Sequence, residues 1–175
     1  MFVWNTSGYE GALVRRLVRE GFAETHSAGL LVWVRRGREA LSAMSYDHVP
    51  ELPDHFPPLV GARDCAILRV GPSRRFPCSG RYPGLRGAPD YRVRCWHEAV
   101  LVLAAHEAGH IEAFRSHRSA ITQLARGKAV RVARDSELAC ERRAVSALRR
   151  FRREHRCGTT SRGERSRPFD PSRRP

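Results

Sequence analysis

Lysine is almost missing from this chain: of 32 basic residues, only Lys128 is not an arginine. So one-sided a choice can arise from codon usage alone, which weakens the inference from a net charge of +14 to phosphate binding. Long hydrophobic runs are missing too. No stretch reaches the roughly 18 apolar residues that a membrane-spanning helix needs, so no membrane partner is expected. Met1 to Asn5 has neither the basic start nor the apolar run of a signal peptide. The cysteines, at positions 65, 78, 95, 140 and 157, are odd in number and contain no CxxC pair. They fit neither a disulfide framework nor a structural zinc knuckle, and the expected compartment is a reducing cytoplasm.

Charge is unevenly spread. Residues 149–175 hold ten arginines against Glu154, Glu164 and Asp170, a net +7 and half of the total. This segment is rich in Arg, Ser, Gly and Pro and lacks apolar periodicity, so beyond the end of a last helix it reads as a disordered tail. A solvated tail is the default reading, and weak contact with nucleic acid is the alternative. Residues 1–148 then form one domain, long enough for a modest core.

The chemistry lies in His106-Glu107-Ala108-Gly109-His110, a match to HExxH. Residues four apart on a helix lie one above the other, so His106 and His110 can aim imidazole nitrogens at one zinc ion. Glu107, one step round, can act as general base on a water whose pKa such an ion lowers to about 7. Upstream, Trp96 to Ala105 has no Gly or Pro and turns apolar all round, the pattern of a buried helix. Gly109 costs a helix about 1 kcal/mol against Ala, which suggests that a backbone or a substrate passes close by.

A catalytic zinc usually takes three protein ligands. Glu112, two residues past His110, points to another face of the helix. His117 misses the HExxHxxGxxH register, in which Ala113 would be glycine and Ser116 histidine. His155 lies about 27 Å along the same helix from Glu137, at 1.5 Å per residue, so the two cannot share an ion. Glu137 is the strongest candidate. It belongs to a second helix with Leu138, Val145 and Leu148 on its apolar face and Asp135 or Ser136 as N-cap. Glu137 and Glu141 are four apart and repel each other unless a cation lies beside them. Zinc on Glu137, with Glu141 accepting a hydrogen bond from a ligand imidazole, satisfies both. The competing reading pairs both glutamates with Arg134, Arg142 or Arg143.

HEAGH followed by this helix resembles the gluzincin metallopeptidases, and the 27 positions from His110 to Glu137 are similar to compact members such as the ImmA/IrrE-type proteases. Glu137 through Ala144 also looks like the E-x-x-A-D-R-x-A segment of the CAAX-protease and heat-shock membrane peptidase group. The resemblance covers about residues 96 to 148. It implies a zinc metallopeptidase acting on a protein or peptide, with His106, His110 and Glu137 as ligands, Glu107 as general base and Glu141 behind the histidines. Three positions depart from it: Glu141 stands where Asp is usual, Glu112 where an apolar residue is usual, and Cys140 in place of a small alanine. A non-catalytic zincin-like module, docking through its basic tail on nucleic acid or an acidic partner, is the second reading.

The first 95 residues read as scaffold. Met1 to Asn5 is a short strand, and Leu13, Val14, Leu17, Val18 and Phe22 recur at helical spacing. Leu30 to Val34 and Ala40 to Ser45 read as a hairpin turning at Arg36-Gly37. A Pro-rich loop follows from Pro50 to Pro58, and then Cys65 to Val70 as a strand. Residues 71–89, with four prolines and four glycines, form a long irregular connection. The expected class is α+β: a minimal zincin-like domain with a small, mostly antiparallel sheet packed on helices. Cys65 to Val70 is the candidate edge strand beside the cleft, and His48, His55 and Tyr91 are candidate oxyanion stabilisers.

Overall fold

The computed structural model describes residues 1–46, 48–49, 62–81, 84–117 and 126–155. The Pro50–Pro58 loop, His55 and the tail from 156 onward fall outside them. The architecture is α+β. Four strands, β1 (Phe2–Thr6), β2 (Leu30–Arg36), β3 (Leu41–Tyr46) and β4 (Asp64–Val70), form a sheet in the order β1-β2-β4-β3. Cys78–Ser79 (β5) and Arg92–Val93 (β6) form a small antiparallel pair. The helices are α1 (Gly11–Gly21), α2 (Trp96–His117) and α3 (Arg126–Glu154).

The sheet is mixed rather than mostly antiparallel. β2 pairs in parallel with β1 on one side and β4 on the other, and only β3 runs against β4. The expected hairpin is therefore opened, with β4 inserted between β2 and β3. Burial explains the insertion. β4, Asp-Cys-Ala-Ile-Leu-Arg-Val, is buried at every position but Arg69, and such a strand belongs inside a sheet with neighbours on both edges. The four residues 37–40 bridge two strand spacings, about 9–10 Å. Their ends are tied to β4 and the residue after it by Gly37 N–H to Val70 O and Ala40 O from Gly71 N–H. It follows that Cys65 to Val70 is central and that β3 is the edge strand on its side of the sheet, with β1 at the other edge.

All three helices serve the core on one sheet face. Alternate residues Leu30, Val32 and Val34 of β2 and Ala66, Leu68 and Val70 of β4 meet Val14, Leu17 and Val18 of α1 and the α2 segment Ala99 to Ala105. α2 is buried all round in that segment, as its composition requires. Gly21 lets α1 cross it closely, since a Cβ there would sit 2.5 Å from Ala104 Cβ and 2.9 Å from Ala105 N. The opposite sheet face carries a smaller cluster of Leu31, Cys65 and Ile67 with Trp33, Tyr46, Val49 and Ala62. Burial pushes the Cys65 thiol up to about 12, so it stays protonated near neutrality.

Two buried carboxylates fix the ends of α2. Glu98, 0% exposed, takes hydrogen bonds from Arg152 Nε at 2.8 Å, from Arg152 Nη2 at 2.7 Å and from the Arg94 backbone N–H at 2.7 Å. Arg152 Nη2 also donates to Arg92 O at 2.6 Å, so one guanidinium ties the end of α3 to the start of α2 and to β6. Near the other end of α2, Arg115 bonds the buried Asp64 carboxylate through Nε at 2.7 Å and the backbone carbonyls of His26 and Ala28. Among the described residues, no helix is long and apolar enough to cross a membrane.

α3 begins at Arg126, well before the N-cap expected at Asp135 or Ser136. The residues ahead of Glu137 are helical, so the ligand candidate lies within α3 and its backbone is held on both sides.

Candidate metal centre

α2 and α3 run antiparallel, and their pairing faces His106 towards Glu141 and His110 towards Glu137. Two imidazole nitrogens and both oxygens of one carboxylate converge there. His106 Nε2 lies 3.1 Å from His110 Nε2, His106 Nε2 lies 3.3 Å from Glu137 Oε2, and His110 Nε2 lies 3.2 Å from Glu137 Oε1. Donors bound to zinc at about 2.0–2.1 Å in a tetrahedron stand about 3.3 Å apart, so these separations have the right size. Its chemistry fits as well. Glu137 Oε2 is buried and makes no well-formed hydrogen bond, with His106 Nε2 at 3.3 Å facing it, so a cation between the two would be held from both sides. On the far side of His106, Nδ1 faces Glu141 Oε1 at 3.3 Å, and Glu141 is only 3% exposed. A carboxylate on Nδ1 selects the tautomer whose Nε2 lone pair faces the centre.

The electrostatics record the same crowding. Burial opposes a proton on His106, but Glu137, Glu141 and Glu107 outweigh it and carry the ring up to about 9. Burial likewise opposes charge on His110, which Cys140, Glu137 and Glu107 nevertheless raise to about 10. Glu137 falls to about 2 through its contacts with His106 and His110. Negative groups thus surround the two imidazoles, and a cation held between them is favoured. Glu107 is 3% exposed. Burial lifts its carboxyl above the usual range, while His106, Ser45 and His110 pull the other way.

Of the arginines expected to compete for the glutamates, Arg142 is exposed and Arg143 is engaged elsewhere, while the Arg134 side chain lies outside the described residues. Arg143 donates to Glu112 at 2.6 Å and to Thr25 Oγ1 at 2.8 Å, and Thr25 donates to Glu112 at 2.7 Å. The network explains the polar residue at 112 and keeps it away from the histidines.

Two participants were not anticipated. Cys140, 2% exposed, brings Sγ to within 4.8 Å of ring nitrogens of both His106 and His110. Glu137 oxygens stand 3.3 and 3.2 Å from the His106 and His110 Nε2 atoms, so the carboxylate and the thiol both border the two histidines and compete for the third position. The thiol also accounts for Gly109: a Cβ there would stand 2.6 Å from Cys140 Sγ. The spacing of Cys140, three residues past Glu137 on one helix face, was the available signal. Ser45 is the second, its hydroxyl donating to Glu107 Oε2. Leu41, Ala43 and Ser45 share the helix-facing side of β3, so a hydroxyl at the third of these positions was the visible irregularity.

The centre opens on a cleft of about 550 Å³ lined by Glu39 to Ala43, Ser79 to Arg81, Tyr91, Val102, Leu103, His106, Glu107 and Glu141. β3 forms one wall and the β5–β6 pair the other. Of the three oxyanion candidates, Tyr91 is in this cleft. Burial and the adjacent Glu141 carboxylate raise its phenol, which keeps it a proton donor. His48 instead packs edge-on to Tyr46, with ring centroids 5.6 Å apart. Comparison with protein-family models, curated proteins and solved structures gives no match.

Proposed function

We propose that this chain is a zinc metallopeptidase with a zincin-like domain, holding the metal through His106, His110 and Glu137. The observation that carries the reading is the convergence of two imidazole nitrogens and the Glu137 carboxylate at 3.1–3.3 Å, with the buried Glu107 carboxylate beside them. When bound, zinc supplies a Lewis acid for a carbonyl oxygen and a more acidic water. Glu107 takes the proton from the attacking water and returns it to the leaving amine. Glu141 holds His106 in the ligating tautomer, and Tyr91 donates its phenolic proton towards the developing oxyanion.

The substrate class follows from the walls. Among the described residues β3 pairs on one side only, with β4, so its other edge offers backbone donors and acceptors to an extended peptide. Leu41, Ala43, Val102 and Leu103 make the adjoining surface apolar. An unfolded or extended protein segment with an apolar side chain near the scissile bond fits.

Zinc content with and without the third ligand tests the proposal. Reconstituted wild type is expected to hold about one zinc per chain, and Glu137→Ala to weaken binding by at least 10–100-fold, the loss typical of even an indirect contact. Normal zinc affinity in Glu137→Ala would remove this residue from the ligand set.

A further inference from the structure

We infer that Ser45 is a positioning residue for Glu107, fixing one carboxylate oxygen so that the other is left to take a proton; the inference rests on the proposed function. Ser45 Oγ donates to Glu107 Oε2, and no other hydrogen bond to this carboxylate is made among the described residues. Glu107 is 3% exposed at the inner end of the cleft, where few water molecules could take the place of that contact. The terminal torsion of a glutamate is broad and roughly two-fold, so packing alone does not set which oxygen faces the cleft. A single donor on Oε2 does.

The donor comes from a particular place. Ser45 pairs with Ala66 of β4, and its side chain leaves β3 on the side of Leu41 and Ala43, towards α2. β3 is also the strand whose open edge would carry substrate. The base is therefore held by the same strand that would align the scissile bond, so the two are placed relative to each other by one rigid element. Pre-organisation of this kind acts on the reacting geometry and leaves the metal ligands untouched.

Wild type, Ser45→Ala and Ser45→Thr, each loaded with zinc, would be assayed on a fluorescence-quenched library of extended peptides. Ser45→Ala is expected to lower kcat by about 10–100-fold, with KM and zinc content unchanged, and Ser45→Thr, which keeps the hydroxyl, to recover most of it. The contact itself is read without activity, through urea unfolding of the zinc-free protein in a double-mutant cycle. The shift in midpoint caused by Ser45→Ala should vanish when Glu107 is already alanine. An active wild type whose kcat is unmoved by Ser45→Ala, or is lost with zinc and not restored by threonine, overturns the positioning role alone. A zinc-loaded wild type that cleaves nothing overturns the metallopeptidase reading and the positioning role with it, and the cycle then reports only whether the hydrogen bond exists.

Discussion

Glu107→Gln is expected to retain its zinc and to lose peptide hydrolysis by about 10²–10⁴-fold in kcat, the usual contribution of a general base. Glutamine has the shape of glutamate and its amide oxygen can still accept from Ser45, so the local packing is conserved. His106, His110 and Glu137 remain in place, and nothing in the donor set changes. What disappears is the ability to take a proton. Burial holds Glu107 above the ordinary carboxylate range, which brings its basicity closer to that of a useful proton acceptor at neutral pH. The measurement is kcat on the peptide library beside metal content on the same preparation. Hydrolysis that survives at near wild-type rate with zinc in place would mean that another group serves as base.

Arg152→Ala is expected to destabilise the fold by about 3–5 kcal/mol, as does removal of one partner from a buried pair. The size follows from what is left behind. Glu98 is fully buried, and two of its three hydrogen bonds come from this guanidinium. Without Arg152, a carboxylate on the first turn of α2 keeps only the Arg94 N–H. The Arg92 carbonyl loses a donor as well. Arg152→Lys should recover part of the loss, because an ammonium can reach one oxygen but cannot form the fork. Replacing both partners, as in Glu98→Leu with Arg152→Met, should come closer to wild type than Arg152→Ala does, since an apolar pair leaves no charge unpaired. Denaturant unfolding of the four proteins checks the order. A double variant less stable than Arg152→Ala would show that packing, not charge, dominates there. The contact matters to the site because Glu98 lies eight residues before His106, about 12 Å along α2, and Arg152 lies beyond Glu137 on α3. Clamping the two helices at this end helps to set the register that brings Glu137 opposite His110.

Much of the candidate centre was legible because its key relations are local. His106 and His110 are neighbours by helical geometry, Glu137 and Glu141 likewise, and only the pairing of the two helices had to be supplied by the fold. The sheet was harder. Leu30–Val34 and Ala40–Ser45 are close in sequence with a turn signal between them, so adjacency looked like pairing. The more buried β4 displaced β3 from β2, an outcome decided by which strand has two apolar faces to cover and not by any local signal. The edge strand was misplaced for the same reason. Ser45 was invisible because its partner is 62 residues away. Cys140 was visible only as a departure from the resembled pattern, and its proximity to the histidines depends on how closely α2 and α3 approach at Gly109.

That proximity makes the nature of the donors the point on which the account turns. X-ray absorption at the zinc edge of the reconstituted protein reads them directly. The expected spectrum is a shell of nitrogen and oxygen at about 2.0–2.1 Å with the outer scattering of two imidazoles and no sulfur. A sulfur shell at about 2.3 Å would place Cys140 on the metal and contradict the assignment of His106, His110 and Glu137 as the ligands of an open, catalytic zinc.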